Sequence, residues 1–248
     1  MVNQDGSTPS PTGRRLAELT WIEAAGLIGA GMPVLLPVGA AAKAHGPHLP
    51  LGTDRLVVEA VATRLMALLP VLVAPTVGHG FYPAFTGYPG SQHLTAATFQ
   101  AVITETADSF LRHGCRRIVI LNNGVSTEAP LRQAEAAILQ AHGIRILTFD
   151  LPQLGRSCDP LWAVPQGGHA DERETSQVLA LVPAQVRLDR LGETVTTEAE
   201  AAGGRLSANG SSGDARAATA HKGERLLAAV VDEIAAALRR QWPDLQAG

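Results

Sequence analysis

Two segments of this 248-residue chain concentrate side chains that could do metal or acid–base chemistry. The first is the loop 40–54, which carries His45, His48 and Asp54 between Pro47, Pro50, Gly46 and Gly52. Imidazole plus carboxylate is a ligand set for zinc and its neighbours, and a stiff loop lowers the cost of arranging it. The plainer reading is a histidine-bearing connector in which Asp54 caps a helix. The second segment runs Gly168-His169-Ala170-Asp171-Glu172-Arg173-Glu174-Thr175-Ser176. Carboxylates at Asp171 and Glu172 suit the first turn of a helix on dipole grounds alone. His169, immediately before them, has no such explanation, and together they could supply a ligand and a general acid or base.

Two further loops could face a substrate. Ser126 and Thr127 either bind substrate or hold their own turn through side-chain-to-backbone bonds. Phe81, Tyr82, Phe85 and Tyr88 form a dense aromatic run, among glycines, in a chain that is only 4% aromatic. Core packing is one account of it; a substrate wall or a subunit contact is the other.

These loops need a scaffold, and its pattern is legible. Uninterrupted aliphatic runs at 33–40, 71–77, 117–122 and 145–151 read as strands buried on both faces, as a parallel sheet requires. Helix-period segments at 54–69, 95–113, 128–142, 171–181 and 217–242 alternate with or follow them, two ending at His113-Gly114 and His142-Gly143. The alternation predicts a single-domain three-layer α/β/α fold with a mostly parallel sheet over 14–248, behind a disordered tail at 1–13. Sites in such sheets lie beyond the C-terminal ends of the strands, where these loops fall.

Composition narrows the class. Hydrophobic residues at 46% against 17% charged exclude a disordered chain, and a net charge of −3 without a basic block argues against nucleic-acid binding. Two cysteines are too few for a disulfide framework. No apolar run reaches the roughly 20 residues that span a bilayer. A cytoplasmic protein acting on a small molecule, without nucleic acid or membrane, is expected. No nucleotide-binding glycine fingerprint is present.

Taken together, Pro37-Val38-Gly39 with His45-Gly46-Pro47-His48-Leu49-Pro50-Leu51-Gly52-Thr53-Asp54, then Tyr88-Pro89-Gly90-Ser91, Asn123-Gly124 and His169–Ser176 resemble, in order, the elements of the creatininase (creatinine amidohydrolase) family. The resemblance implies a metal-dependent amidohydrolase acting on C–N bonds, often of cyclic amides, assembled as a homo-oligomer and commonly a hexamer. It carries metal ligation onto His45, Asp54 and Glu172, and catalysis onto His169 and Glu172. His48, Tyr82, Tyr88, Ser126, Thr127 and Asp171 become candidates for substrate contact.

Two departures stand out. The family's Glu-Gln-His-Gly reads Lys43-Ala44-His45-Gly46 here, and the histidine of its Asn-Gly-His turn is Val125. Both losses fall on one of the family's two metals, so one divalent ion is expected, zinc first, with manganese or iron as alternatives. Lys43 is read as a catalytic cation replacing the lost charge beside Asp54; the alternative points it to solvent. Ring closure or acyl transfer on the same site, or a binding subunit without catalysis, are the competing functions.

Overall fold

The computed structural model describes residues 13–164, 168–192 and 204–245. Five strands form one sheet in the order β1-β3-β2-β4-β5: β1 Arg14–Arg15, β2 Val34–Val38, β3 Leu72–Val73, β4 Ile118–Asn122 and β5 Leu147–Asp150. Every pairing is parallel, and β2 meets β4 from Val34↔Ile118 to Val38↔Asn122. The strand run expected to reach Val77 stops early. Pro75 has no N–H to give a ladder, and only an isolated bridge joins Val77 to Val38.

Six α-helices cover the sheet: α1 Trp21–Gly29, α2 Thr53–Leu68, α3 Ala96–Arg112, α4 Glu128–His142, α5 Glu172–Leu181 and α6 Ala220–Gln241. Because strand side chains alternate faces, Leu35, Val119 and Leu121 pack with Val57, Val61 and Leu65 of α2 and Leu227, Val231 and Ile234 of α6. Val34, Leu36, Ile118 and Ile120 enter the opposite layer with Phe99 and Ile103 of α3 and Leu131 and Ile138 of α4. The result is the expected single α/β/α domain with two apolar layers. α1 was not legible as a helix; a capping box joining Thr20 and Glu23 starts it, and Ile28 is its one buried residue.

Residues 1–12 of the expected tail lie outside the described residues, whereas Gly13 is buried and donates to the Met66 carbonyl. No helix among the described residues is long and apolar enough to cross a membrane.

Candidate metal centre and cavity

The loop after β2 is tied down along its length. Lys43 N–H donates to the Leu51 carbonyl, Ala44 N–H to Ser91 Oγ, and Gly46 N–H to the Gly210 carbonyl. Gly46 takes φ +62°, a left-handed turn that glycine adopts without steric cost. At the loop's far end Asp54 enters the first turn of α2, and it is fully buried. A Cβ on Gly39 would lie 2.8 Å from the Asp54 carbonyl oxygen, so only glycine lets the end of β2 come this close to the start of α2.

Two ionisable groups meet at Asp54. Lys43 Nζ lies 2.7 Å from its Oδ2, and His45 Nε2 lies 2.8 Å from its Oδ1. Burial pushes the Asp54 carboxyl up, but Lys43 and His45 outweigh it and hold the group well below the ordinary carboxylate range. Lys43 is itself 5% exposed, with Nζ 5.1 Å from the Phe85 ring centroid and 5.3 Å from that of Tyr82. The alternative that it points to solvent is thereby excluded.

His169 reaches the same place from the other side of the domain. An antiparallel pair of backbone bonds with Ser212 fixes it. Its ring packs 4.6 Å from His45 and 4.7 Å from Phe85 between centroids. Nε2 is 2.8 Å from the Ala44 carbonyl and so carries the proton, leaving Nδ1 toward Glu174 Oε2 at 3.6 Å. Burial, with the nearby charges of His45 and Lys43, keeps the His169 pKa well below its usual value, so the ring is neutral.

Ala170 then takes φ +53°, the one left-handed non-glycine among the described residues. This turn sets Asp171 at the N-cap of α5, where Oδ1 accepts from the N–H groups of Arg173 and Glu174 and Oδ2 from that of Gly168. Burial, and then the charge of Glu174, raise the Asp171 pKa to about 6.

The helix phase that follows corrects one assignment. Glu172 and Glu174 lie about 200° apart around α5, so they face different surroundings. The Glu172 carboxylate is turned toward α6, held by the Lys222 ammonium and by the Ala163 N–H. It is therefore neither beside His45 nor in the cavity. The acid that meets the histidines is Glu174: His45, His169 and Glu174 each offer a ligand atom, all within 4.8 Å of one another. Asp54 stands next to this trio through His45 Nε2 and is otherwise engaged by Lys43.

The donor set suits one divalent transition metal. Two imidazoles and a carboxylate are a common ligand combination for zinc, and manganese accepts the same atoms. His45 adds a specific sign. Its Nδ1 donates to the Lys43 carbonyl at 2.8 Å, an outer bond that fixes the tautomer. With Nδ1 committed to that carbonyl, Nε2, 2.8 Å from Asp54 Oδ1, is the ring atom a metal would take.

Beside these groups opens a cavity of about 400 Å³, lined by Lys43, His169, Asp171 and Glu174 and by Asn123, Val125 and Ser126. Phe85, Leu151 and Leu206 supply apolar wall. Several expected substrate contacts lie elsewhere. His48 is buried, with Nε2 bonded to Thr175 Oγ1, and burial followed by the charge of His45 lowers its pKa to about 4. Tyr82 is buried behind Lys43, and Tyr88 uses its hydroxyl to accept from Ser207 N–H and donate to Ser207 O. Thr127 is buried and braces the Asn122–Gly124 turn. Ser126 does line the cavity, its hydroxyl donating to the Phe81 carbonyl. The apolar runs and turn residues of the sequence could not separate these roles, because burial decides them.

Comparison with known proteins agrees with this architecture. The chain is 29% identical over 256 residues to a creatinine amidohydrolase of Pseudomonas putida, covering 92% of this chain and 97% of that one. It is 30% identical over 229 residues to a mycofactocin precursor peptide peptidase of Mycolicibacterium smegmatis, covering 85% and 86% respectively. A solved manganese creatininase superimposes with TM-score 0.75 at 26% identity, over 93% of this chain and 99% of that one. A creatininase variant of the Zn-Zn type superimposes with TM-score 0.76 at 25% identity, over 94% and 99%. The creatinine amidohydrolase family model matches residues 17–238, and the chain belongs to this, the creatininase family.

Proposed function

We propose that this chain is a metal-dependent amidohydrolase that cleaves a C–N amide bond of a small molecule. The observation that carries the reading is the trio His45, His169 and Glu174 at the edge of a 400 Å³ cavity in a chain of this family. The cavity falls in the size range that encloses a small organic ligand. His45, His169 and Glu174 would hold one divalent ion, zinc first, with manganese or iron as alternatives, and such an ion supplies Lewis acidity to an amide carbonyl and to water.

The chain's own groups do the rest. Lys43 brings a fixed positive charge to the cavity wall, suited to a carbonyl oxygen that gains negative charge. Asp171, with its pKa raised to about 6, sits at the cavity as a carboxyl able to exchange a proton near neutral pH. Ser126 and Asn123 line the same cavity and offer polar contacts for orientation. Phe85, Val125 and Leu206 exclude water and receive apolar parts of the substrate.

The two named relatives differ in what they act on, one named for creatinine and one for a precursor peptide. The volume of about 400 Å³ favours the small amide. A screen of metal-loaded protein against small linear and cyclic amides and short peptides, read by mass spectrometry, tests this. Hydrolysis of a small amide that falls at least ~10²-fold in Glu174→Gln, the scale of losing one electrostatic or ligand group, is the expected result. Turnover of peptides alone, or an unaffected Glu174→Gln enzyme, would overturn it.

The same reading includes self-assembly and a cytoplasmic setting. Trp21 and Ile22 on α1 are 80% and 65% exposed, a neighbouring apolar pair suited to a subunit contact.

A further inference from the structure

We infer that the Lys43 ammonium takes, on Asp54, the place of a second metal ion and so limits this site to a single divalent ion. The inference rests on the metal reading proposed above and deepens it.

Asp54 is fully buried and its two oxygens are both engaged, Oδ1 by His45 Nε2 and Oδ2 by Lys43 Nζ at 2.7 Å. A buried carboxylate needs positive charge at contact distance. Lys43 supplies it from within the chain. A dication brought to Oδ2 would meet the ammonium at close range in a poorly screened setting, so the two cations exclude each other.

Lys43 is also held against leaving. Its N–H donates to the Leu51 carbonyl, its own carbonyl accepts from His45 Nδ1–H, and its ammonium lies between the rings of Tyr82 and Phe85. Swinging Nζ away would strand Asp54 and uncover both rings. Val125, which lines the same cavity, is aliphatic and offers no ligand atom. The creatininase of the Zn-Zn type, by its name, carries two zincs on a similar fold. Here one unit of that charge has become covalent.

The test is a Zn²⁺ titration of the metal-stripped full chain by calorimetry and elemental analysis, with thermal melts of the same samples. Wild type is expected to bind one equivalent, and Lys43→Arg to keep one. Lys43→Glu places two buried carboxylates together. It is expected to melt lower than wild type without metal, to gain more than wild type on adding Zn²⁺, and to bind two equivalents. Lys43→Met, which keeps the apolar stem without the charge, is expected to show a second equivalent at least ~10-fold weaker than the first, and it serves if Lys43→Glu does not fold. Two equivalents in wild type, or one equivalent of unchanged affinity in both Lys43→Glu and Lys43→Met, would overturn the inference while leaving the metal reading intact. No binding by wild type would remove the metal reading, and this inference with it.

Discussion

Glu172 and Glu174 show how much can turn on two positions in a chain. Both are acidic, both lie in the first turn of α5, and both follow His169 closely. What separates them is the helix phase set by Asp171 as N-cap, together with Lys222, which arrives from α6 to claim Glu172. The sequence names both acids but not the phase, and the partner lies fifty positions away. The two residues should therefore respond differently to mutation. Glu174→Ala should abolish tight zinc binding; it also leaves the Ala170 N–H without its acceptor, so zinc content, not the melting temperature, separates it from Glu172→Ala. Glu172→Ala should retain zinc but leave the Ala163 N–H without its acceptor and the Lys222 ammonium with the Ala217 carbonyl in place of a carboxylate, costing about 1–3 kcal/mol in urea unfolding. Equal metal loss in the two variants would contradict the assignment.

His48 belongs to the same scale. Buried and bonded to Thr175, it has a folded-state pKa near 4 against about 6.5 when exposed. The unfolded chain then binds more protons than the folded one between those values, so stability is full above about pH 6.5 and falls as pH drops toward 4. The drop attributable to His48 is about 3 kcal/mol. Urea unfolding at pH 7 and pH 5 should show the loss beginning, and His48→Asn should flatten that slope. Asp54 acts in a lower window. Its depressed pKa contributes stability that is full above about pH 4 and is lost only as pH falls further.

At the scale of elements, β2, β3, β4 and most helices were readable because burial on both faces leaves aliphatic runs and cap residues mark the boundaries, whereas the two-residue β1 has no apolar run and β5, expected to be buried on both faces, is mostly half-buried. Thr95, Thr219 and Asp171 each cap a helix, and Gly143 ends α4 in the left-handed conformation at φ +66°. α1 was missed because it buries only Ile28 and so leaves no amphipathic stripe, although Thr20 and Glu23 carry its start signal. Thr20→Ala should cost about 1 kcal/mol. The candidate centre was half legible. His45 and His169 stood out by type, but the role of Phe85 and the inward turn of Glu174 depend on how two loops distant in sequence meet. One backbone position carries this meeting. Gly39→Ala would press a Cβ to 2.8 Å from the Asp54 carbonyl. It should displace the start of α2 and weaken zinc binding at least ~10-fold, corresponding to about 1.4 kcal/mol, although residue 39 touches no ligand atom. An alanine variant with wild-type zinc affinity would show that this close approach does not position the centre.

For the whole molecule, the parallel sheet gathers the ends of β2 and β4 and the start of α5 on one side, so loops from three parts of the chain share one cavity. This placement is the general property of open parallel sheets, and the chemistry comes from the loops alone. Self-assembly is the proposal at this scale, and on it Trp21→Asp should shift the protein toward a ~26 kDa monomer in light scattering. A monodisperse monomer in the unmutated protein would contradict the proposed self-association. The most direct test of the central claim is anomalous diffraction at the zinc absorption edge from crystals of the zinc-loaded protein. One peak per chain is expected, in contact with His45, His169 and Glu174. A peak held by Glu172, or no peak at these three residues, would contradict it.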